Sequence, residues 1–118
     1  MSAKQTAFRF HTAETDTGIT ISFPANTALT ETNAEALQRE LLAMAAGREQ
    51  PQLTVDLGGI TILTSVILGK FIAVNKQVRA AGGRLTLLNP TPTVRMVFTV
   101  TKLDTLLDIK PGASGMPA

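Results

Sequence analysis

The sequence has no cysteine, no tryptophan and no tyrosine, and its only histidine is His11. Without cysteine the chain can form neither a disulfide nor a zinc–thiolate site, and it has no thiol nucleophile. A single histidine excludes a metal site built from several histidines. The five phenylalanines are the only aromatic residues, which leaves little surface for stacking nucleic-acid bases. These absences exclude several common classes of enzyme and of nucleic-acid-binding protein.

Long apolar segments are also lacking. No apolar run approaches the roughly 20 residues of a bilayer-spanning helix, and no basic stretch followed by an apolar one opens the chain. We therefore expect a cytoplasmic protein with no membrane partner. The 118 residues, 44% of them hydrophobic, suffice for one domain with a core. We place this domain at residues 1–110 and expect disorder in residues 111–118, which are small residues, glycine and proline apart from one methionine.

Charge is divided unevenly along the chain. Residues 1–58 carry four basic and seven acidic side chains, whereas residues 59–118 carry seven basic and two acidic ones. Four of the basic residues lie within 70–84, where they could contact phosphates. Because aromatic residues that stack on bases are scarce, we predict no nucleic-acid partner.

The first third of the chain has the pattern of a hairpin followed by a loop. Residues 7–12 and 19–23 are strand-like, and Asp16-Thr17-Gly18 between them is a turn signal. Pro24 ends the second strand, and a loop rich in threonine and asparagine extends to Thr32.

The rest of the chain alternates between helix and strand. Thr32 and Glu35 have the spacing of a capping box at the start of a helix, and Gly47 is typical of its end. Since crossovers between parallel strands are right-handed, this order predicts an α/β fold, a mixed β-sheet with an N-terminal hairpin and flanking helices. The predicted later elements are a strand at 52–57, a short β segment at 60–63, a helix at 64–81, a strand at 84–88, a short helix from Thr91 to Leu103 and a strand at 105–109.

Four stretches of the second half carry a family resemblance. They are ITILTSVILG at 60–69, RAAGGRL at 79–85, TPTVRMVF at 91–98 and TKLDTLL at 101–107. In their order and spacing they resemble the STAS domain, a family that includes the bacterial anti-sigma factor antagonists. The resemblance implies a STAS-like single domain.

The family's signature, D-S-[ST]-G-L, opens the second helix and contains a phosphoacceptor serine. On this chain Ser65 falls at the acceptor position, and Thr64 replaces the aspartate. Val66 and Ile67 replace the next two residues, whereas Leu68 agrees. The resemblance implies phosphorylation at Ser65, with Thr64 as the alternative acceptor. From the residues alone, a hydroxyl at this position is more typical of a helix N-cap than of a phosphoacceptor.

The resemblance also implies a function. An anti-sigma factor antagonist regulates transcription by partner switching: it binds an anti-sigma factor that is a serine protein kinase, and phosphorylation, here at Ser65, releases it. The nucleotide belongs to the kinase, so we expect no cofactor on this chain. The alternatives are a non-phosphorylated STAS adaptor or assembly subunit of a signalling or transport complex, and a domain that binds an anion at the helix start. A homodimer is left open.

We expect the partner to dock where the second helix begins. Helix N-termini gather at the carboxyl ends of parallel strands, so this helix start and the loop at 24–32 are expected at one end of the sheet. Because no base accompanies Ser65, and Asp56 is interpreted as a local cap, we predict no catalytic activity. The residues expected in the partner-binding surface are Thr64, Ser65, Val66, Ile67, Lys70, Pro24 and Asn26.

Overall fold

The computed structural model describes residues 9–15 and 18–110. The tail at 111–118 and the start of the first predicted strand lie outside these residues. The strands are β1 (His11–Thr15), β2 (Gly18–Ser22), β3 (Thr27–Leu29), β4 (Gln52–Asp56), β5 (Ile60–Leu63), β6 (Arg84–Leu88) and β7 (Asp108–Lys110). The helices are α1 (Glu31–Ala45), α2 (Ser65–Ala80) and α3 (Pro92–Thr101), followed by a 3₁₀ turn at Leu103–Thr105.

Five strands form a mixed sheet in the order β1-β2-β4-β6-β7. The first two pair antiparallel as a hairpin, and the other neighbours pair in parallel. The predicted mixed sheet with an N-terminal hairpin is therefore confirmed. β3 and β5 form a second, two-stranded parallel sheet. The expectation that 24–32 is all loop was wrong, since β3 lies within it. The strand was missed because its three residues are too few to show alternation, and it forms through its pairing with β5.

One face of the large sheet supplies the core. In β4 and β6, Leu53, Val55, Leu85 and Leu87 are buried, while the residues between them are only half-buried. α1 and α2 pack against each other, α1 also against β4 and α2 against β6. Phe71 of α2 is fully buried. Burial of each large apolar side chain contributes about 1.5–3 kcal/mol, so this face determines where α2 lies.

The helix ends follow the predicted chemistry with one correction. α1 is capped by Thr30 and Asn33 rather than by Thr32 and Glu35. The Thr30 hydroxyl accepts from the Thr32 N–H (3.2 Å), and Asn33 Oδ1 accepts from the Thr30 N–H (2.9 Å). The shorter asparagine therefore provides the return bond that the sequence pattern assigned to a glutamate. At α3, Thr91 is the N-cap with Pro92 in the first turn, as predicted.

The chain after α3 differs from the prediction. Lys102 adopts a left-handed conformation (φ 62°) and ends α3. The 3₁₀ turn follows, and the last strand begins only at Asp108. Between them Leu107 is buried, and its N–H donates to the Leu103 carbonyl (2.8 Å), so burial and a local turn rather than strand pairing hold this segment.

Candidate partner-binding site

The start of α2 and the chain around β3 are adjacent in the structure. β5 runs directly into α2, and Leu29 pairs in register with Leu63. One residue further, the Thr64 N–H donates to the Leu29 carbonyl (3.1 Å). This pairing places the two segments side by side at the carboxyl ends of their strands, where ligands of parallel sheets gather.

Ser65 is the first residue of α2 and is exposed. The N–H groups of Ser65 and Val66 have no carbonyl partner within α2, and the helix dipole is positive at this end. A negatively charged group on Ser65 would therefore lie in a favourable electrostatic position. The side chain is accessible from solvent, as a phosphoacceptor must be.

Thr64 occupies the N-cap position, as expected, but its side chain does not cap the helix. Its Oγ1 atom is buried and has no hydrogen-bond partner among the described residues. The Thr64 carbonyl begins the helical hydrogen bonding, because it accepts from the N–H groups of Ile67 (3.1 Å) and Leu68 (3.2 Å). The hydroxyl at Thr64 is thus inaccessible, in contrast to its exposed neighbour.

The apolar residues that follow Ser65 divide between surface and core. Val66 is 38% exposed, whereas Ile67 is fully buried. The expectation that Ile67 lies in the partner-binding surface was therefore wrong. Residues 67, 68 and 71 share the inward face of the helix at its three- and four-residue spacing, so Ile67 belongs to the core that also holds Phe71.

Ile62 is exposed just before the start of α2, and the sequence pattern did not predict its exposure. Alternation in a strand predicts that Ile60 and Ile62 face the same way, yet Ile60 is fully buried and Ile62 is 54% exposed. The register explains the difference. Thr27 pairs with Ile60 but Ala28 pairs with Ile62, which leaves an extra residue in β5. Such a bulge redirects the side chains that follow it.

Lys70 is engaged within the molecule. Its Nζ lies 2.9 Å from Oε2 of Glu35, which ties α2 to α1. The hydrogen bond from Lys70 and its positive charge hold the pKa of Glu35 below the ordinary value, desolvation opposes this shift, and Arg39 adds to it. Only about a fifth of the Lys70 side chain is exposed. A partner that uses this ammonium group would have to displace Glu35.

The loop before β3 is held by a close backbone approach. Pro24 is half-buried, and its carbonyl accepts from the Thr27 hydroxyl (2.6 Å). Asn26 is exposed and left-handed (φ 65°). A Cβ atom at Gly59 would lie 2.6 Å from the Pro24 carbonyl oxygen, so glycine at that position allows the loop to pack. The loop therefore packs against the turn before β5, where the Thr27 N–H also donates to the Gly59 carbonyl (2.9 Å), and its expected place beside Ser65 stays a prediction.

Asp56 has a local structural role, and His11 lies at the outer edge of the large sheet. Asp56 Oδ1 accepts from the Gly58 N–H (2.9 Å), which confirms the local cap. His11 is exposed on β1, at the outer edge of the large sheet. Over the described ranges, no three histidine, cysteine or acidic side chains are grouped so that they could bind a metal. Likewise, no described helix is long and apolar enough to span a bilayer.

The fold and the serine at the start of α2 define a small α/β module with a candidate switch residue. A family model described as "Mlab, STAS domain" matches residues 13–108. The chain belongs to the STAS family, and the resemblance of its four sequence stretches is confirmed. No curated protein matches the chain in sequence.

Several solved structures share the fold. A candidate anti-sigma factor antagonist from Thermotoga maritima has a TM-score of 0.77 and 19% identity, covering 89% of this chain and 88% of that one. A STAS-domain anti-sigma-factor antagonist from Planctomyces limnophilus has a TM-score of 0.75 and 22% identity, covering 86% of this chain and 89% of that one. The anti-sigma factor antagonist SpoIIAA in its unphosphorylated form has a TM-score of 0.71 and 20% identity, covering 86% of this chain and 87% of that one. The predicted STAS-like α/β fold is confirmed by these likenesses.

Proposed function

We propose that this STAS domain is an anti-sigma factor antagonist that regulates transcription by partner switching. The unphosphorylated chain binds an anti-sigma factor that is a serine protein kinase, and phosphorylation of Ser65 releases it. The observation that carries the proposal is the exposed Ser65 at the first position of α2, beside the exposed side chains of Ile62 and Val66. The fold shared with anti-sigma factor antagonists, one of them described as unphosphorylated, supports it.

The physical basis of the switch is the contrast between an apolar contact and a doubly charged group. A phosphate adds a charge of about −1.5 to −2. The free N–H groups of the helix start tolerate this charge in the isolated domain. In a complex it would be desolvated among Ile62 and Val66, and burial of an unpaired charge is strongly unfavourable. Since Lys70 is paired with Glu35, it is not free to neutralise the phosphate.

Ser65 rather than Thr64 is the proposed acceptor. The two hydroxyls are one residue apart, but the Thr64 Oγ1 is buried and Ser65 is exposed. A kinase would have to open the start of α2 to reach Thr64.

The test is phosphosite mass spectrometry after incubation with ATP and the cognate kinase. We expect one phosphate, on Ser65, and no label on Ser65→Ala. Thr64→Val serves as the matched control and should be labelled like the wild type. Label on Thr64 in the Ser65→Ala variant would contradict the assignment.

A second candidate function is a non-phosphorylated STAS adaptor or assembly subunit. It is favoured by the apolar surface of Ile62 and Val66, which suits a permanent interface. In that case the chain would remain unlabelled by the kinase, and Ser65→Ala would bind its partner as the wild type does. Labelling at Ser65 together with loss of binding would exclude this candidate.

A further inference from the structure

The end of the molecule opposite the start of α2 contains a cavity of about 210 Å³. Ser65 and Arg79 lie near opposite ends of α2, about 21 Å apart at a rise of 1.5 Å per residue. The cavity is therefore separate from the candidate partner-binding site. Its lining residues are Arg79, Arg84, Thr105, Leu106, Leu107 and Asp108.

A rigid turn brings the two arginines of the cavity together. Gly82 is left-handed (φ 79°), and its N–H donates to the Arg79 carbonyl (2.9 Å). A Cβ atom at Gly83 would lie 2.0 Å from the Pro51 carbonyl oxygen, so the turn packs directly on the neighbouring chain. The backbone that carries Arg79 and Arg84 is consequently fixed at both glycines.

The cavity carries an excess of positive charge. Arg84 Nη1 pairs with Asp108 Oδ2 at 3.0 Å. Within the described part of the chain, Arg79 has no carboxylate partner. The Arg84 side chain is 53% exposed. Because a guanidinium group has five N–H donors, some of them are available to a further acceptor. Asp108 contacts Arg84 through one carboxylate oxygen, so the pair occupies only part of the guanidinium group.

The lining is mainly polar, and one exposed apolar side chain adjoins the charged groups. Leu107 is buried, whereas Leu106, also in the lining, is 60% exposed. The cavity is smaller than the 300–1,000 Å³ pockets that bind drug-sized ligands, so a matching ligand is small. We propose that this cavity binds a small molecule in which a phosphate or carboxylate group is joined to a small apolar group. Arg79 and the open edge of Arg84 hold the oxyanion, and Leu106 covers the apolar part.

The proposal is tested by NMR titration of the ¹⁵N-labelled full chain with phenyl phosphate, benzoate and inorganic phosphate. We expect phenyl phosphate or benzoate to shift the amide signals of Arg79, Arg84 and 105–108, and the tighter of the two identifies the preferred oxyanion. Inorganic phosphate should bind at least fivefold more weakly than phenyl phosphate, because it lacks the apolar group. Absence of shifts, or shifts confined to residues 65–67, would overturn the proposal, the latter by assigning the anion to the start of α2.

Variants make the test specific. Arg79→Gln should weaken binding at least fivefold, whereas Arg95→Gln, an exposed arginine on α3, should leave it unchanged. Asp108→Asn should tighten binding at least twofold, since it removes the competing carboxylate. Leu106→Ser should weaken phenyl phosphate binding but not that of inorganic phosphate. Equal affinities of Arg79→Gln and the wild type would contradict the proposal.

Discussion

The starts of α1 and α2 are both preceded by a threonine, yet they differ in how that threonine is used. At α1, Thr30 and Asn33 form a reciprocal cap, and Asn33 also donates to the Ala28 carbonyl (2.9 Å). At α2, Thr64 leaves its hydroxyl buried and without a partner among the described residues, and the next two residues are exposed. Both helix starts expose the two residues after the threonine, but the first has a reciprocal side-chain cap and exposes Glu31 and Thr32, whereas the second has no side-chain cap and exposes Ser65 and the apolar Val66. The difference is consistent with the proposal that the start of α2 contacts a partner.

The largest expected effect is on partner binding at the second helix start. Ser65→Asp should weaken binding to the anti-sigma factor kinase by roughly 1–3 kcal/mol, because an unpaired carboxylate is desolvated in the interface. Calorimetry with the purified partner measures it. Lys76→Ala, about three turns further along α2, is the control and should change little. Equal effects of the two variants would place the contact on the basic face of α2.

The free energies of unfolding of two threonine variants compare the two helix starts directly. Thr30→Ala should lower the free energy of unfolding by about 1 kcal/mol, since it removes a working cap. Thr64→Val should be neutral or stabilising, because it removes a buried hydroxyl that has no partner to lose. Urea unfolding of both variants checks this. A loss at Thr64→Val as large as that at Thr30→Ala would show that the two threonines have the same role.

A glycine one turn after Ser65 provides a third test. A Cβ atom at Gly69 would meet no atom within 4 Å, and glycine inside a helix costs up to about 1 kcal/mol relative to alanine. Gly69→Ala should therefore stabilise the chain by about that amount in thermal unfolding. Gly47→Ala is the matched control: it also has open space, but its φ of 76° should make alanine destabilising. Destabilisation by Gly69→Ala would contradict the open space around this position.

The smallest expected effect concerns the ion pair that joins the two helices. Because the pKa of Glu35 is lowered in the folded chain, the pair stabilises the fold above the ordinary glutamate pKa. This contribution is lost as the pH falls through the lowered pKa. Glu35→Gln should therefore be slightly less stable than the wild type at pH 7 and equal to it in acid. A difference that persists at pH 2 would contradict this origin.

Much of this fold was predictable from the sequence, and the misses have local causes. The hairpin, the strand at Arg84–Leu88 and the cap at Thr91 follow from alternation, glycine pairs and the Thr-Pro pair, all of which act over a few residues. β3 was missed because its three residues form a strand only through pairing with β5. The cap at Thr30 was missed because asparagine took the place of the usual glutamate.

The candidate site was predicted in position but not in detail. The place of Ser65 at the start of α2 could be located from helix and strand order. The exposure of Ile62 depends on a bulge in β5, and the burial of Ile67 depends on which face of α2 meets the sheet. Both are decided by tertiary contacts that one sequence pattern does not specify.

The most direct test of the proposed switch is the affinity of the anti-sigma factor kinase for two forms of the full chain, one unmodified and one with phosphoserine at position 65. Calorimetry without nucleotide hydrolysis measures both. We expect the phosphorylated form to bind at least tenfold more weakly, since about 1.4 kcal/mol corresponds to a factor of ten and lies within the expected desolvation cost. Equal affinities of the two forms would contradict partner switching at Ser65.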